Sequence, residues 1–346
     1  MKLSKDIIYG IIISILIILL IVGYNINKKN SYSKRNEISN LNLQIKVKNK
    51  QLANIQKKFL NSKSNINDFI NEDYIKFSKV FENKKLENIN NFELSKYKTE
   101  DVLFGGNYRA LASAYIDFYN DDTKLILVTS DGIFATSDLN NLNKFNKIKS
   151  NFMEFVNYEK FYTHTQYGVK DILVNDNDIY VSLISQLDKN CYNFRLLKSK
   201  INQKKLTFKI FYEIPECVKE DNDHQYYAGQ GAGGRMYVRN NSILLTTGEF
   251  RNRPLAQNKK SFYGKILEIN LDSKKADVVS FGHRNAQGIY YSKRYDFIIS
   301  TEHGPKGGDE ININHKPFNI IKNFGWPISS YGEHYYKNHP DKILKE

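Results

Sequence analysis

Four segments in the C-terminal two thirds of the chain resemble one another. Each is a polar turn, four or five β-forming residues, small hydroxyl residues and a loop: DDTKLILVTSDG, DNDIYVSLIS, NNSILLTTGE and KRYDFIISTEHG. Their apolar runs begin at Leu125, Ile179, Ile243 and Phe297, which are 54, 64 and 54 residues apart. Self-similarity on this scale is typical of propeller blades of about four strands each, and a β-sandwich would not repeat in this way. The sequence predicts an all-β propeller over residues 99–346.

The only two cysteines, Cys191 and Cys217, flank two alternating runs, YNFRLLKS and LTFKIFYEI, joined at INQKK. A hairpin centred near Lys204 would place them opposite each other on one face, within reach of a disulfide. Two buried free thiols are the alternative. Their shared register favours the disulfide, and a disulfide indicates an oxidising compartment.

An uncharged run of seventeen residues, Ile7 to Gly23, follows a short N-terminal tail, residues 1–6. A helix rises about 1.5 Å per residue, so this run just spans the hydrocarbon core of a bilayer. Gly23 leads into YNINKKN without a small-x-small cleavage site, which favours an uncleaved transmembrane anchor over a signal peptide.

The orientation of this anchor receives conflicting signals. Two lysines precede it and four basic residues follow it closely, and the positive-inside rule alone would place the body in the cytoplasm. The predicted disulfide requires an oxidising compartment instead. We give the cysteines more weight and expect a single-pass protein of the cell inner membrane, with its propeller on the periplasmic side.

Residues 24–98 are predicted to form a helical or coiled-coil stalk and linker. Apolar residues recur at a and d positions of three heptads: Ile38, Leu41, Ile45, Leu52, Ile55 and Phe59. A short coiled coil would pair protomers into a homo-oligomer, whereas a solitary amphipathic helix would lie on the membrane, and both interpretations stay open. Residues 68–98 are expected to be helical or irregular.

The net charge of +14 does not indicate nucleic-acid binding. Residues 1–100 carry 18 Lys/Arg against 9 Asp/Glu, and the remaining 246 residues carry 33 against 28. Recognition of a phosphate backbone needs a clustered basic face. The nearly balanced C-terminal part lacks that excess, so we expect no nucleic-acid partner.

The segment DNDHQ contains a candidate general base. His224 lies beside Asp223, and a carboxylate can orient an imidazole that titrates near neutral pH. A solvated loop histidine is the structural alternative. The following glycine-rich run, AGQGAGGRMYV, lacks the Lys-Ser/Thr ending of a P-loop and precedes a strand, so it does not predict a nucleotide phosphate site.

Two further loops carry polar side chains in unusual density. TTGEFRNRP places Arg251, Asn252 and Arg253 just past a predicted strand, and guanidinium groups bind carboxylates bidentately. Solvated loop arginines are the simpler interpretation. STEHGPKGGDE (300–310) could cradle phosphate, bind a metal or form only a turn; no helix follows it, which argues against a phosphate loop.

Several motifs resemble one family when they are taken together and in order. GHRNAQG, TEHGPKGGDEIN and NFGWPISSYGEHY, with FYGKILEINL before them and NDHQ and GEFRN upstream, are similar to the pyrroloquinoline-quinone-dependent glucose/sorbosone dehydrogenases. The resemblance runs from about residue 170 to 340. It implies a six-bladed propeller that binds the quinone cofactor and calcium and oxidises a small-molecule sugar, with an unspecified electron acceptor.

The resemblance also implies roles for individual residues. His224, assisted by Asp223, would take the proton from the anomeric hydroxyl of the sugar. Arg251, Asn252 and Gln225 would contact the cofactor.

Substrate and metal residues are implied in the same way. Trp326 and Phe324 would lie beside the sugar pocket. Calcium prefers oxygen ligands, and these candidates either bind it or shape the loop: Glu302, Gly304, Pro305, Asp309 and Glu310.

Three features depart from the family pattern. YYAGQGA is inserted after NDHQ, Glu249 stands where the family usually has Asp, and Glu346 follows SYGEHY closely, so we expect a propeller that is incomplete at its C-terminus. The leading hypothesis is a membrane-anchored quinoprotein sugar dehydrogenase. The alternatives are a non-catalytic propeller that binds a protein or glycan, and a truncated, inactive homologue.

Overall fold

A computed structural model gives the structure of the protein. It describes residues 74–85, 93–99, 114–129, 132–156, 168–188, 190–219, 221–222, 225–226 and 229–333. All of them belong to one compact unit, Asp73–Glu346. The predicted tail 1–6, the anchor 7–23 and the heptads of the stalk lie outside the described residues. Within the described ranges, no helix is long and apolar enough to cross a membrane.

The first sheet has seven strands, of which β3 forms one edge. Its main path runs in the order β2-β1-β6-β5-β4-β3, and the short strand β10 pairs with β6 in parallel. The strands are β1 (Tyr74–Lys85), β2 (Glu93–Thr99), β3 (Ala114–Tyr119), β4 (Lys124–Thr129), β5 (Phe134–Asp138), β6 (Lys144–Ser150) and β10 (Lys205–Leu206).

The second sheet has the order β11-β9-β8-β7, with β12 also paired to β9, and a two-stranded ribbon follows it. The sheet contains β7 (Val169–Asn175), β8 (Asp178–Asp188), β9 (Cys191–Lys200), β11 (Lys209–Glu213) and β12 (Val218–Lys219). The ribbon pairs β13 (Asp221–Asn222) with β14 (Gln225–Tyr226).

The third and fourth sheets carry the C-terminal motifs. The third has the order β15-β16-β17-β18-β22 and the fourth β19-β20-β21. Their strands are β15 (Gly233–Arg239), β16 (Ser242–Thr247), β17 (Lys265–Asn270), β18 (Ala276–Phe281), β19 (Ala286–Ser292), β20 (Phe297–Glu302), β21 (Glu310–His315) and β22 (Lys322–Asn323). The described helices are single turns: Phe152–Phe155, Gly229–Gly231 and α1 (Pro254–Gln257).

Polar turns end the hairpins where the sequence repeat predicted them. Asn120, Asp176, Asn240 and Asp296 all adopt left-handed backbone conformations, with φ between 49° and 56°. Asn and Asp tolerate this region better than other non-glycine residues. The repeated polar residues therefore close the hairpins of all four sheets.

The sheets pack face to face in chain order, and the central strands β8 and β16 bury both of their faces. Val181 packs in the core between the first and second sheets, whereas its neighbour Tyr180 packs in the core shared with the third. On the third sheet, Leu245 packs in the core shared with the second sheet, whereas its neighbour Leu244 packs against the fourth sheet. Successive side chains of a strand point to opposite faces, which explains the continuous apolar runs. The fold is all-β and propeller-like.

Arg235, on β15, joins all four sheets. Its Nη1 donates to Asp171 Oδ1 on β7 at 2.8 Å, and its Nε donates to the Gln287 carbonyl on β19 at 3.0 Å. Its guanidinium carbon lies 4.9 Å from the centre of the Tyr115 ring on β3. Met236 N also donates to Asp171, so this carboxylate is held from two sides.

The predicted helical or irregular character of residues 68–98 is wrong where the structure describes them. Tyr74–Lys85 and Glu93–Thr99 are strands, and the first pairs with β6. Ile75 is buried, and the Phe77 ring lies 4.8 Å from that of Phe145. The alternation of Ile75 and Phe77 is a β-strand signal that the sequence prediction missed. The two strands add to the first sheet, so the β-rich part of the chain begins before the predicted boundary at residue 99.

The predicted disulfide is confirmed. Cys191 and Cys217 are bonded, with their Cα atoms 5.5 Å apart. The hairpin register is less regular than predicted, because β11 shifts against β9 at a bulge and β12 resumes the pairing with Val218 opposite Tyr192. The two strands together still bring both cysteines to the same end of β9.

Candidate functional site

A cavity of about 710 Å³ lies among the loops that follow strands of the third and fourth sheets. Three motif segments identified in the sequence, GEFRN, GHRNAQG and TEHGPKGGDE, supply most of its wall. The lining residues are Gly231, Glu249, Arg251, Arg284, Asn285, Gln287, His303, Gly304, Pro305, Lys306, Gly307 and Asp309.

The Arg251 loop approaches the cavity in a strained backbone conformation. Phe250 and Arg251 have φ values of 54° and 66°, which non-glycine residues adopt only when their surroundings enforce it. Phe250 N donates to the Gly231 carbonyl at 3.1 Å. Gly248 is required here, because a Cβ atom on it would lie 1.9 Å from the Gly231 oxygen.

Three cationic side chains line the cavity together with two carboxyl groups, the exposed Asp309 and the buried Glu249. Arg251, Arg284 and Lys306 line the cavity, as does Glu249, which is only 3% exposed. Burial raises the pKa of Glu249 to about 7, against the opposing charges of Arg284, Arg253 and Arg251. A carboxyl with this pKa is partly protonated at neutral pH.

Two buried acceptors in this region lack donors. Neither Glu249 Oε2 nor Asn252 Oδ1 has a hydrogen-bond partner within the part of the chain that the structure describes. Buried polar atoms are nearly always satisfied. Glu249 lines the cavity, so its unpaired oxygen favours a ligand that carries a hydrogen-bond donor.

A buried histidine network positions Arg284. His283 Nδ1 lies 2.9 Å from Glu302 Oε2, and His283 Nε2 lies 2.8 Å from Ser280 Oγ. Glu302 Oε1 accepts the backbone N–H of Arg284 at 2.8 Å. The Phe324 ring stacks on His283 at 4.9 Å. Both oxygens of Glu302 thus have protein hydrogen-bond partners, which favours the loop-shaping role over the metal-binding role.

The TEHGPKGGDE loop closes on itself beside the cavity. Gly304 N donates to Asp309 Oδ1 at 3.0 Å, and Gly308 N donates to the Pro305 carbonyl at 2.8 Å. Glu310 Oε2 accepts Asn312 Nδ2 at 3.1 Å, and burial raises the pKa of Glu310. Among the described residues, no three or more His, Cys, Asp or Glu side chains form a group that could hold a metal ion.

Comparison with known proteins identifies the family. The family model for glucose/sorbosone dehydrogenases matches residues 119–345. The chain belongs to the glucose/sorbosone dehydrogenase family. The resemblance inferred from the ordered motifs is confirmed.

The curated relatives match this chain over only part of their own length. Aldose sugar dehydrogenase YliI of Escherichia coli is 33% identical over 121 residues, 31% of this chain and 32% of that protein. An uncharacterized protein of Synechocystis sp. is 28% identical over 214 residues, 54% of this chain and 49% of that protein. The chain thus spans about a third to about half of the length of these relatives.

Solved structures of sugar dehydrogenases share the fold. A crystal structure of glucose dehydrogenase has a TM-score of 0.54 at 21% identity, covering 67% of this chain and 68% of that chain. The apo form of the soluble aldose sugar dehydrogenase from Escherichia coli has a TM-score of 0.51 at 19% identity, covering 65% and 69%.

Among the predicted cofactor residues of this family member, Arg251 lines the cavity and Asn252 follows it in the loop. Gln225 lies on β14, where its backbone pairs with Asn222. His224, the predicted base, and its partner Asp223 lie outside the described residues. The structure therefore brings Arg251 to the site and leaves the role of His224 as a prediction.

The place of Trp326 and Phe324 beside a sugar pocket stays a prediction. Neither is among the described residues that line the cavity. Trp326 is 4% exposed, and the guanidinium carbons of Arg253 and Arg284 lie 5.5 and 5.3 Å from its ring centre. Cations over an indole face are electrostatically favoured, so Trp326 supports the two arginines.

Eight of the twelve wall residues were not predicted as site residues from the sequence: Gly231, Glu249, Arg284, Asn285, Gln287, His303, Lys306 and Gly307. Arg284 and Asn285 lie inside the GHRNAQG motif, and Lys306 lies inside the TEHGPKGGDE loop. The motifs therefore predicted where these residues belong, but not what each side chain does. Asn285 Oδ1 accepts Gly233 N at 3.0 Å, which links the third and fourth sheets beneath the cavity. Glu249 was noted only as a departure from the family pattern.

Proposed function

We propose that this protein is a quinoprotein sugar dehydrogenase that oxidises the anomeric hydroxyl of an aldose, with hydride transfer to pyrroloquinoline quinone. The observation that carries the proposal is the cationic cavity built by three family segments. Its volume of about 710 Å³ is in the range of small-molecule and cofactor sites. When bound, the quinone supplies the hydride acceptor.

The wall residues fit a cofactor with three carboxylates. Arg251, Arg284 and Lys306 provide the opposite charge, and guanidinium groups bind carboxylates bidentately. The unpaired acceptors on Glu249 and Asn252 suit an N–H or O–H donor of a bound molecule. We propose that Arg251 and Arg284 hold the carboxylates and that Asn252 and Gln225 complete the cofactor contacts.

Calcium is proposed at the TEHGPKGGDE loop. Gly304, Pro305 and Asp309 line the cavity and offer carbonyl and carboxylate oxygens, which are the ligands that calcium prefers. Glu302 and Glu310 would shape this loop. Calcium would supply Lewis-acid polarisation of an oxygen in the site.

Proton removal is proposed for His224. A neutral imidazole accepts a proton efficiently near pH 7, and the adjacent Asp223 would stabilise the imidazolium that forms. The family motif NDHQ supports this assignment.

The confirmed disulfide supports a location in an oxidising compartment. We propose that residues 7–23 anchor the protein in the inner membrane, with the propeller facing the periplasm. The four described sheets would be consecutive blades of the family's six-bladed ring, and residues 24–72 would pair protomers.

Reconstitution tests this function. The purified chain, incubated with pyrroloquinoline quinone and calcium, is expected to reduce an electron-accepting dye when aldoses are added. His224→Ala should lose turnover by about 100-fold or more, the usual contribution of a general base, while still taking up the cofactor. A chain that binds no quinone and shows no turnover would favour the alternative of a non-catalytic binding propeller.

A further inference from the structure

Glu216 holds the end of the loop that carries Arg251. Its two carboxylate oxygens accept Ser261 Oγ at 2.8 and 2.9 Å, and Oε2 also accepts Phe262 N at 2.8 Å. Its backbone carbonyl accepts the Tyr263 hydroxyl at 2.7 Å. Glu216 belongs to the second sheet's β11–β12 connection, whereas the loop belongs to the third sheet, so these bonds join two sheets.

Tyr263 passes this restraint on to Arg251. The fully buried Tyr263 ring packs edge-on against Phe250 at 5.2 Å, and Phe250 packs in the same way against Phe194 of β9 at 5.7 Å. Phe250 and Arg251 hold left-handed backbone conformations, which require support from their surroundings. The Tyr263 ring supplies part of that support.

Lys265 links the middle of the Arg251 loop to the backbone of Tyr263. Its buried Nζ donates to the Tyr263 carbonyl at 2.6 Å and to the carbonyls of Leu255 and Ala256 at 2.7 and 3.1 Å. The segment from Phe250 to Tyr263 is therefore held as one unit. A displacement of Tyr263 would move the Arg251 end of the loop as well.

The disulfide fixes Glu216 itself. Cys217 is the next residue, and its bond to Cys191 attaches the connection to β9. Beyond it, β12 pairs with β9 over only two residues, Val218 and Lys219. The covalent bond is thus a major restraint on the position of Glu216.

We propose that Glu216 is a positioning residue for Arg251, and that reduction of Cys191–Cys217 weakens this positioning and lowers the affinity of the cavity for an anionic ligand. A dithiol reductant would break the S–S bond and transfer two electrons and two protons to form two cysteine thiols, becoming a cyclic disulfide itself. The inference rests on the proposed function only for the choice of ligand.

Two measurements on the full chain test the proposal. Glu216→Gln should raise the Kd of pyrroloquinoline quinone about 10-fold, because a neutral amide can no longer accept Ser261 Oγ with both atoms and its bond to Phe262 N loses the help of the negative charge. In an Arg251→Gln background, Glu216→Gln should change the Kd by less than about 2-fold, because the side chain that Glu216 positions is no longer present. Glu213→Gln, three residues away and paired with Arg195, is the matched control and should leave the Kd unchanged.

Hydrogen exchange provides the readout that is independent of the cofactor. Amides of residues 250–263 should exchange faster in Glu216→Gln and in reduced wild type, and reductant should have no effect on Cys191→Ser/Cys217→Ser. If the wild type binds no quinone, the proposed function fails while this exchange still decides the positioning role. Unchanged exchange in both cases, or equal effects of Glu216→Gln with and without Arg251, would overturn the proposal.

Discussion

At the scale of single residues, Glu249 shows how burial outweighs attraction. Three arginines lie near enough to stabilise its ionised form, yet the loss of hydration dominates and its pKa rises to about 7. One of its oxygens has no donor in the described residues. The protonated form is consequently stabilised by the fold relative to the unfolded chain.

Replacing Glu249 by Gln is expected to change the pH dependence of stability. The pKa rises from 4.5 in the unfolded chain to about 7 in the fold. The stabilisation is complete below pH 4.5 and is lost as pH rises through 7. Relative to Glu249→Gln, the wild type should therefore lose roughly 3 kcal/mol of unfolding free energy over this window. Urea denaturation of both proteins at several pH values measures the difference, and parallel curves would contradict it.

At the scale of elements, the hairpins and the disulfide were accessible from the sequence because turn chemistry and strand alternation are local signals. Asp176 and Asn240 close turns that were read directly from DND and NNS. The Arg251 loop was not accessible in this way, because its conformation depends on Tyr263, Lys265 and Glu216, which converge on it only in the fold. The family motifs contain most residues of the cavity wall, but they could not show that the Trp326 ring packs against the Arg284 guanidinium.

Gly248→Ala tests the close crossing of two loops at the site. The new methyl group would lie 1.9 Å from the Gly231 oxygen and 2.8 Å from the Ala232 carbonyl carbon, and neither is a side chain that could rotate away. We expect a loss of about 3 kcal/mol of unfolding free energy. Gly307→Ala is the control: Gly307 has φ +77° and no atom near its added Cβ, so only backbone strain of about 1 kcal/mol should result.

At the scale of the whole described unit, sheets pack mainly on their chain neighbours, and Arg235 is an exception. From β15 it contacts Tyr115, Asp171 and the Gln287 carbonyl on the other three sheets. Its partner Asp171 is buried, and burial raises the pKa of that carboxyl to about 6 despite the guanidinium. Loss of the arginine would leave Asp171 with only its two backbone donors, Met236 N and Ile172 N.

Arg235→Met is expected to lower the unfolding free energy by about 2 kcal/mol, a value reduced for the partial exposure of the arginine. It should also separate the unfolding curves recorded by fluorescence of the single Trp326 and by far-UV circular dichroism. Arg239→Met, on the same strand and paired with Glu268 inside the third sheet, is the control. Arg239→Met should lower stability but leave the fluorescence and circular dichroism curves coincident. Separated curves in Arg239→Met, or coincident curves in Arg235→Met, would contradict the prediction.

The reach of Arg235 has a consequence for cooperativity. Units that interact only with their neighbours behave as a one-dimensional lattice, in which unfolding can begin at an end and propagate inward. Arg235 contacts Tyr115 of the first sheet and Gln287 of the fourth, and so adds an interaction between sheets that are not neighbours. Fraying of either terminal sheet then costs contacts at the centre, so the described sheets should unfold as a single cooperative unit.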